Sequence, residues 1–153
     1  MANSYTQLYV QFVFAVKGRS NLIKETFRDE IEKVMSGIVT NHNSKTYAIY
    51  CNPDHVHILV SIHPTISVSK LVEQIKSGSS KWLNEKRYLP GKFHWQVGYG
   101  AFTYSKSQVD SVVKYILNQP EHHKKRTFRE EYLDLLQKFE IEYNPKYLFD
   151  WIE

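Results

Sequence analysis

The stretch that decides the fold is Asn52-Pro53-Asp54-His55-Val56-His57-Ile58-Leu59-Val60, a tight turn followed by a short apolar strand. Side chains two positions apart in a strand point to the same face, about 7 Å apart along the chain. His55 and His57 therefore share one face, where both are able to reach a single divalent metal ion. The alternate residues project into a core on the other face: Val56, Ile58, Val60 and Ile62.

The residues before this stretch predict a strand, a helix and a second strand. Residues 5–16 alternate apolar side chains on two faces, the pattern of a half-buried strand. Residues 23–40 repeat apolar side chains at helical spacing. A second strand, Lys45–Cys51, leads through the Asn52-Pro53-Asp54 turn into the histidine strand. We expect these two strands to pair as a hairpin.

The residues after it predict a helix over 67–86, a strand over 93–103 and a third helix. That helix begins near Ser105, with Gln108 as a capping-box partner, and ends near Asn118 because Pro120 follows. The element order predicts an α+β, ferredoxin-like (split βαβ) antiparallel sheet with packed helices. We expect residues 1–153 to form a single domain, with a core over about 5–120 and a C-terminal helix and acidic, aromatic tail over 121–153.

Charge is unevenly distributed along the chain. Residues 1–129 hold 18 Lys/Arg and 9 Asp/Glu, whereas residues 130–153 hold 2 and 7, which together give the net charge of +4. A basic body suggests a polyanionic partner, although an ordinary solvated surface explains the charge equally well. The single cysteine, Cys51, has no intramolecular disulfide partner. No apolar run is long enough to span a membrane and no signal peptide is present, so we expect a cytoplasmic protein with no membrane partner.

Two groups of cationic side chains are candidates for binding a nucleic-acid backbone. Lys17 and Arg19 lie in the loop after the first predicted strand. Lys70 and Lys81 lie on one polar stripe of the second predicted helix. A solvated loop and a solvated helix face are the alternative interpretations, and both are commoner.

Two residues of the third predicted helix fall outside its apolar stripe. At about 100° per residue, Tyr115 lies roughly 130° from the middle of that stripe and Gln119 lies roughly 40° from Tyr115. They therefore share a face on which a phenol stands beside an amide oxygen, a possible metal ligand. The alternative is a surface tyrosine and glutamine near a helix end.

Taken together, His55-Val56-His57, a strand containing Trp95, and Tyr115-Ile116-Leu117-Asn118-Gln119 in a small basic domain resemble the HUH endonuclease superfamily. More narrowly, they resemble the single-tyrosine transposases of bacterial insertion sequences and their relatives associated with repetitive extragenic palindromes. The resemblance covers about residues 5–120 and implies an HUH-type fold.

The resemblance also implies a mechanism and partners. Tyr115 would attack a DNA phosphate and form a 5′-phosphotyrosine, while His55, His57 and Gln119 would hold Mg²⁺ or Mn²⁺. The implied partner is single-stranded DNA with hairpins at element ends, bound by a homodimer. The protein would then be a metal-dependent transposase that cuts and rejoins DNA strands.

Two other functions are open on these residues. The His-x-His pair resembles the start of the histidine-triad nucleotide hydrolase motif, but Leu59 stands where that motif requires a third histidine. A non-catalytic nucleic-acid-binding module of ferredoxin-like fold would explain the charge, with Tyr9, Tyr47 and Tyr50 as stacking platforms. It would not explain the histidines, Tyr115 and Gln119.

Overall fold

The computed structural model of the chain describes residues 3–18 and 21–151. Within them, four strands form one antiparallel sheet in the order β2-β3-β1-β4. The strands are β1 Tyr9–Ala15, β2 Lys45–Cys51, β3 His55–Ser61 and β4 Gly100–Tyr104. The helices are α1 Glu25–Asn41, α2 Val68–Lys86, α3 Val109–Leu117, α4 Gln119–His122 and α5 Phe128–Lys138. The predicted α+β class and the predicted β2–β3 hairpin are confirmed.

Helices cover both faces of the sheet. The even-numbered residues of β1, such as Phe12 and Phe14, pack in one cluster with α1 and α2. The odd-numbered residues pack against the other helices: Tyr9 beside α3, and Val13 and Ala15 beside α5. All seven residues of β1 are buried. The prediction that this strand is half-buried is therefore wrong, because the C-terminal residues supply a second helical layer.

The last strand is shorter than predicted. Only Gly100–Tyr104 pairs with β1, and the earlier part of the predicted strand contributes a single isolated bridge between Trp95 and Val16. Gly98 adopts a left-handed conformation, with φ of 94°, that interrupts regular pairing between these two contacts.

The predicted capping box of Ser105 and Gln108 is present, and it opens a 3₁₀ turn, Lys106–Gln108, that continues into α3. The helix ends at Leu117, as the position of Pro120 predicts. Pro120 then lies in the first turn of the short helix α4, where its missing N–H has no intrahelical acceptor to lose.

The C-terminal tail holds α5 on the sheet. Phe149 and Trp151 contact Phe128 and Tyr132 of α5. The Gln96 side chain accepts a hydrogen bond from the backbone N–H of Asp150 (2.7 Å) and donates one to its carbonyl (2.8 Å). Within the described ranges, no helix is long and apolar enough to cross a membrane.

Candidate functional site

Two buried histidines of β3 form the base of the site. His55 and His57 lie on the sheet face covered by α3 and α5 and are almost completely inaccessible to solvent. The Nδ1 of His55 lies 2.6 Å from Oδ1 of Asp54, and the Nδ1 of His57 lies 2.7 Å from Oε1 of Gln11. Because each Nδ1–H donates to an oxygen, each Nε2 carries the lone pair that binds a metal ion. In His55 this atom lies 3.2 Å from Nδ2 of Asn52, which donates to it when no metal is bound.

The third member of the site is Glu131 of α5, whose side chain is fully buried. Its Oε1 lies 2.9 Å from Nε2 of His57 and 3.4 Å from Nε2 of His55. The ligand atoms of all three residues lie within 4.8 Å of one another. Two imidazole nitrogens and one carboxylate oxygen make a mixed donor set that suits a divalent ion such as Mn²⁺.

The electrostatics of the site require a cation between these groups. Burial by itself raises the pKa of Glu131, but the charge of His57 and hydrogen bonds with His123, His55 and His57 outweigh it and lower that pKa. Burial in turn lowers the pKa of His57. An ionised oxygen and a ring nitrogen 2.9 Å apart repel each other unless a positive charge lies between them. A proton meets this need, and a metal ion that replaces the proton meets it as well.

Tyr115 and Gln119 reach the same carboxylate from the other side. The Tyr115 hydroxyl donates a hydrogen bond to Oε2 of Glu131, and Nε2 of Gln119 donates to the same oxygen at 3.0 Å. Burial, followed by the charge of Glu131, raises the pKa of Tyr115. The His122 ring packs beside the phenol, with centroids 4.6 Å apart. The structure therefore brings Tyr115 and Gln119 to the histidines, as the sequence predicts.

The orientation of Gln119 differs from the one expected of a metal ligand. Its Oε1 accepts a hydrogen bond from Nδ2 of Asn52 at 3.0 Å and lies 3.0 Å from Nε2 of His123. The amide therefore presents its nitrogen, not its oxygen, to Glu131. Rotating the amide would place two oxygens against each other and two nitrogens against each other, so the neighbours enforce this orientation.

Sequence reasoning missed four contributors to the site: Glu131, Gln11, His123 and the side chain of Asn52, which the sequence predicts only as part of a turn. Glu131 falls between Phe128 and Leu135 on the apolar stripe of its helix, where a charged residue is exceptional. Gln11 interrupts an otherwise apolar strand in the same way. A polar residue at a core position is thus the signal that identifies both. His123 follows no comparable pattern.

Two of the predicted DNA-binding side chains, Lys70 and Lys81, lie on the other side of the sheet from this site, whereas Lys17 follows the end of β1 that pairs with His55. Lys17 is exposed just after β1, and Arg19 lies outside the described residues. Lys70 and Lys81 project from α2, which packs on the opposite face of the sheet from the histidines. These two lysines pair with acidic residues of their own helix, at 3.7 Å and 4.0 Å. Their role in DNA binding stays a prediction.

The three tyrosines of the alternative binding-module hypothesis do not form an open platform. Tyr9 is buried, and Tyr47 and Tyr50 pack against the cluster that contains the buried face of α3. The rings of Tyr47 and Tyr50 are partly exposed, and each already has a cationic side chain over it, Lys45 and Arg28 respectively.

Comparisons with known proteins agree with this geometry. The family model described as "Transposase IS200 like" matches residues 4–119. The ISDra2 transposase TnpA of Deinococcus radiodurans is 25% identical over 118 residues, which cover 74% of this chain and 84% of that protein. The segment that carries Glu131 follows the residues matched by the family model.

Two solved structures share the fold. The crystal structure of a candidate transposase from Deinococcus radiodurans has a TM-score of 0.61 and 22% identity, covering 76% of this chain and 94% of that chain. A REP-associated tyrosine transposase bound to a REP hairpin has a TM-score of 0.59 and 16% identity, covering 79% of this chain and 72% of that chain. The predicted HUH-type fold is confirmed.

Proposed function

This chain belongs to the IS200-like transposase family, and we propose that it cuts and rejoins single-stranded DNA through a covalent bond between Tyr115 and a DNA phosphate. One observation carries the proposal: the Tyr115 hydroxyl and the Nε2 atoms of both histidines converge on one carboxylate, Glu131. A nucleophile thus stands directly beside a candidate metal site, which is the arrangement that phosphoryl transfer requires.

The proposed reaction exchanges one phosphodiester for another. The Tyr115 oxygen forms a bond to phosphorus, and the bond from phosphorus to the 3′ oxygen of the preceding nucleotide breaks. That oxygen keeps the electron pair and takes up a proton, which leaves a free 3′ hydroxyl and a 5′-phosphotyrosine. Tyr115 loses its proton as the new bond forms and the 3′ oxygen takes one up, so the exchange is neutral in protons. Oε2 of Glu131 accepts the hydrogen bond of the phenol and orients it before the attack. Because the phosphotyrosine retains a phosphodiester bond, rejoining needs no ATP.

We assign the metal ligands to His55, His57 and Glu131, with Mg²⁺ or Mn²⁺ as the ion. A bound divalent ion would neutralise charge on the phosphate and favour departure of the 3′ oxygen. Gln119 is then a positioning residue. Its amide nitrogen donates to Oε2 of Glu131, and this leaves Oε1 of Glu131 facing the histidines. Asp54 and Gln11 orient the two imidazoles in the same manner.

The test is the formation of a covalent protein–DNA adduct. Labelled single-stranded oligonucleotides that cover the DNA flanking the gene would be incubated with the protein and Mg²⁺ or Mn²⁺. We expect a denaturation-resistant band of higher mass that carries the fragment on the 3′ side of the break, detected by a 3′ label, and its loss with chelator. Tyr115→Phe should form no adduct, whereas Tyr143→Phe, a matched change at an exposed tail tyrosine, should behave as wild type.

Two results would contradict the proposal. Adduct formation by Tyr115→Phe would remove this residue as the nucleophile. Equal cleavage of a fully paired duplex would remove single-stranded DNA as the substrate. We further propose that folded hairpins mark the cleavage site, since a relative of the same fold is bound to a REP hairpin. Appending the flanking palindromes to the oligonucleotide should raise the yield of adduct.

A further inference from the structure

A cleft between α3 and α5 opens beside Tyr115, and we propose that it binds the nucleotide that adjoins the scissile phosphate. The base occupies the cleft, and Arg126 and Lys138 contact the phosphates of that nucleotide. This inference rests on the proposed function, because it takes the ligand to be the strand that Tyr115 attacks.

The cleft has the size and the position that such a ligand needs. Its volume is about 560 Å³, within the range of about 300–1,000 Å³ that is common for small-molecule sites. Tyr115 and Ser111 line one wall, and Arg126 lines the other together with residues of α5. Gln11 and Tyr104 come from the sheet below. A nucleotide bound here therefore lies against the nucleophile.

The cleft offers aromatic surface for a base. Tyr104 and Phe139 meet edge to face, with ring centroids 5.6 Å apart, and both line the cleft. Phe139 is 36% exposed although it is a large apolar side chain. Aromatic rings that stand beside a path for single-stranded DNA stack on bases of any sequence. Stacking on a base would therefore explain why Phe139 is partly exposed in the free protein.

Polar groups in the cleft match the edge of a base. Oη of Tyr104 accepts a hydrogen bond from Nε2 of Gln11 at 2.7 Å, so its own proton is available to an acceptor on the base. Ser107, Gln108 and Ser111 add hydroxyl and amide groups along the opposite wall. Asp134 also faces the cleft, and a carboxylate there is suited to accept a hydrogen bond from an exocyclic amino group.

The charges in the cleft favour a phosphodiester. Arg126 and Lys138 share one acidic partner, Asp134, at 3.4 Å and 3.1 Å. Two cations and one anion leave a net charge of +1 among these three groups. Neither ion pair is buried, so water and DNA phosphate compete for the cations at little cost.

A chain of hydrogen bonds joins the cleft to the candidate metal site. Tyr104 contacts Gln11, and Gln11 contacts Nδ1 of His57. Arg126 acts electrostatically on the Tyr115 phenol from the cleft side. Tyr104, which contacts the base, is therefore linked by hydrogen bonds through Gln11 to the ring of His57, a candidate metal ligand. Seating of the nucleotide and alignment of the phosphate are coupled by this contact.

The test is a titration of the full-length, metal-free protein with the four deoxynucleoside 5′-monophosphates, followed by backbone amide chemical shifts. We expect saturable shifts at Tyr104, Ser111, Arg126 and Phe139 with at least one nucleotide. The affinity for inorganic phosphate should be lower by a factor of about five or more, since phosphate lacks the stacking contribution of the base. Phe139→Ala should weaken the nucleotide by a similar factor.

Ser111→Phe provides the sharper variant because it fills the cleft from an exposed position of α3. It should remove the saturable shifts, whereas Ser77→Phe, a matched change on the exposed face of α2, should leave them intact. Shifts scattered over the surface, shifts produced equally by inorganic phosphate, or shifts that survive Ser111→Phe would overturn the inference. The titration requires no cleavage, so nucleotide binding in a protein that forms no adduct would refute the proposed function alone.

Discussion

Glu131 is the residue on which the whole site converges. Its carboxylate is fully buried, a state that a glutamate tolerates only when donors and cations surround it. Five side chains supply these partners: His55, His57, His123, Tyr115 and Gln119. One oxygen faces the histidines and the other faces Tyr115 and Gln119, so a single carboxylate links the metal-binding half of the site to the nucleophilic half.

Replacing Glu131 with glutamine tests the metal assignment at the level of this residue. Glu131→Gln keeps the shape of the side chain but removes the anionic oxygen from the ligand set. We expect the affinity for Mn²⁺ to fall by about tenfold or more, measured by calorimetry or by the electron paramagnetic resonance signal of free Mn²⁺. Both readouts are independent of DNA cleavage.

Glu130→Gln is the matched control for that experiment. Glu130 precedes Glu131 and forms a capping box with Thr127, a role that glutamine also performs. The control should bind Mn²⁺ as tightly as wild type. If Glu131→Gln also retained wild-type affinity, the third ligand would lie elsewhere, and Gln119 would be the next residue to replace.

Tyr115 makes a prediction about stability at alkaline pH. Burial and the charge of Glu131 raise its pKa in the folded protein above the ordinary value of 10.0. A raised pKa stabilises the fold below the unfolded value, and this contribution is lost as the pH rises above about 10. Without metal, the free energy of unfolding of wild type should fall more steeply above pH 10 than that of Tyr115→Phe, by at most about 1.4 kcal/mol per pH unit. If the free energy of unfolding falls by the same amount between pH 8 and pH 10.5 in the two proteins, the assignment is wrong.

Among the structural elements, α5 determines whether the site is complete. Tyr132 of this helix lies directly against β4, and this is one of the contacts that hold Glu131 on the sheet. A Cβ placed on Gly100 would lie 2.6 Å from the Tyr132 hydroxyl and 2.9 Å from its ring. A glycine fits this close approach, since a Cβ here would force the Tyr132 ring, the Phe102 ring or α5 itself to shift.

Gly100→Ala tests this seating of α5. We expect the substitution to lower the free energy of unfolding by about 1–3 kcal/mol and to weaken Mn²⁺ binding by displacing Glu131. Chemical denaturation and the Mn²⁺ titration measure the two effects separately. Unchanged metal affinity together with lost stability would show that the helix can shift without moving its carboxylate.

Gly37→Ala serves as the control for Gly100→Ala. Gly37 lies in the middle of α1, and nothing lies within 4 Å of the Cβ that alanine would add. Because alanine favours the helix more than glycine does, this variant should be more stable than wild type by about 1 kcal/mol. Its Mn²⁺ affinity should be unchanged.

At the scale of the whole molecule, one face of the sheet forms the main apolar core and the other face carries the candidate site. One face packs against α1 and α2 in the larger apolar cluster, whereas the other carries the histidines and receives α3, α4 and α5. The homodimer expected from the family resemblance stays a prediction.

Mixing two inactive variants tests whether the site works within one chain. Tyr115→Phe lacks the nucleophile and His57→Ala lacks a metal ligand, so each alone should form no adduct. If the site is built within one chain, the mixture should also form none, because neither chain has both groups. Recovery of adduct formation in the mixture would show that Tyr115 of one copy serves the histidines of another.

Periodicity and local chemistry were sufficient to predict much of this protein. The alternation of β3, the capping box at Ser105 and the limit set by Pro120 depend on neighbours within a few residues, so the sequence reveals them directly. The same is true of the shared face of His55 and His57. The family resemblance added Tyr115 and Gln119 as partners of the histidines, and the structure brings these four residues together.

Only the tertiary structure placed Glu131 in the site and directed the nitrogen of the Gln119 amide, not its oxygen, to that carboxylate. Glu131 lies 74 positions beyond His57 along the chain, and its contact with that ring depends on how α5 docks. Docking is decided by packing at Gly100, Tyr132 and the tail, contacts between residues far apart in sequence. No local pattern encodes such contacts. Helix periodicity offers a signal that the sequence analysis missed, an acidic residue on an apolar stripe, but only the fold determines which groups that residue meets.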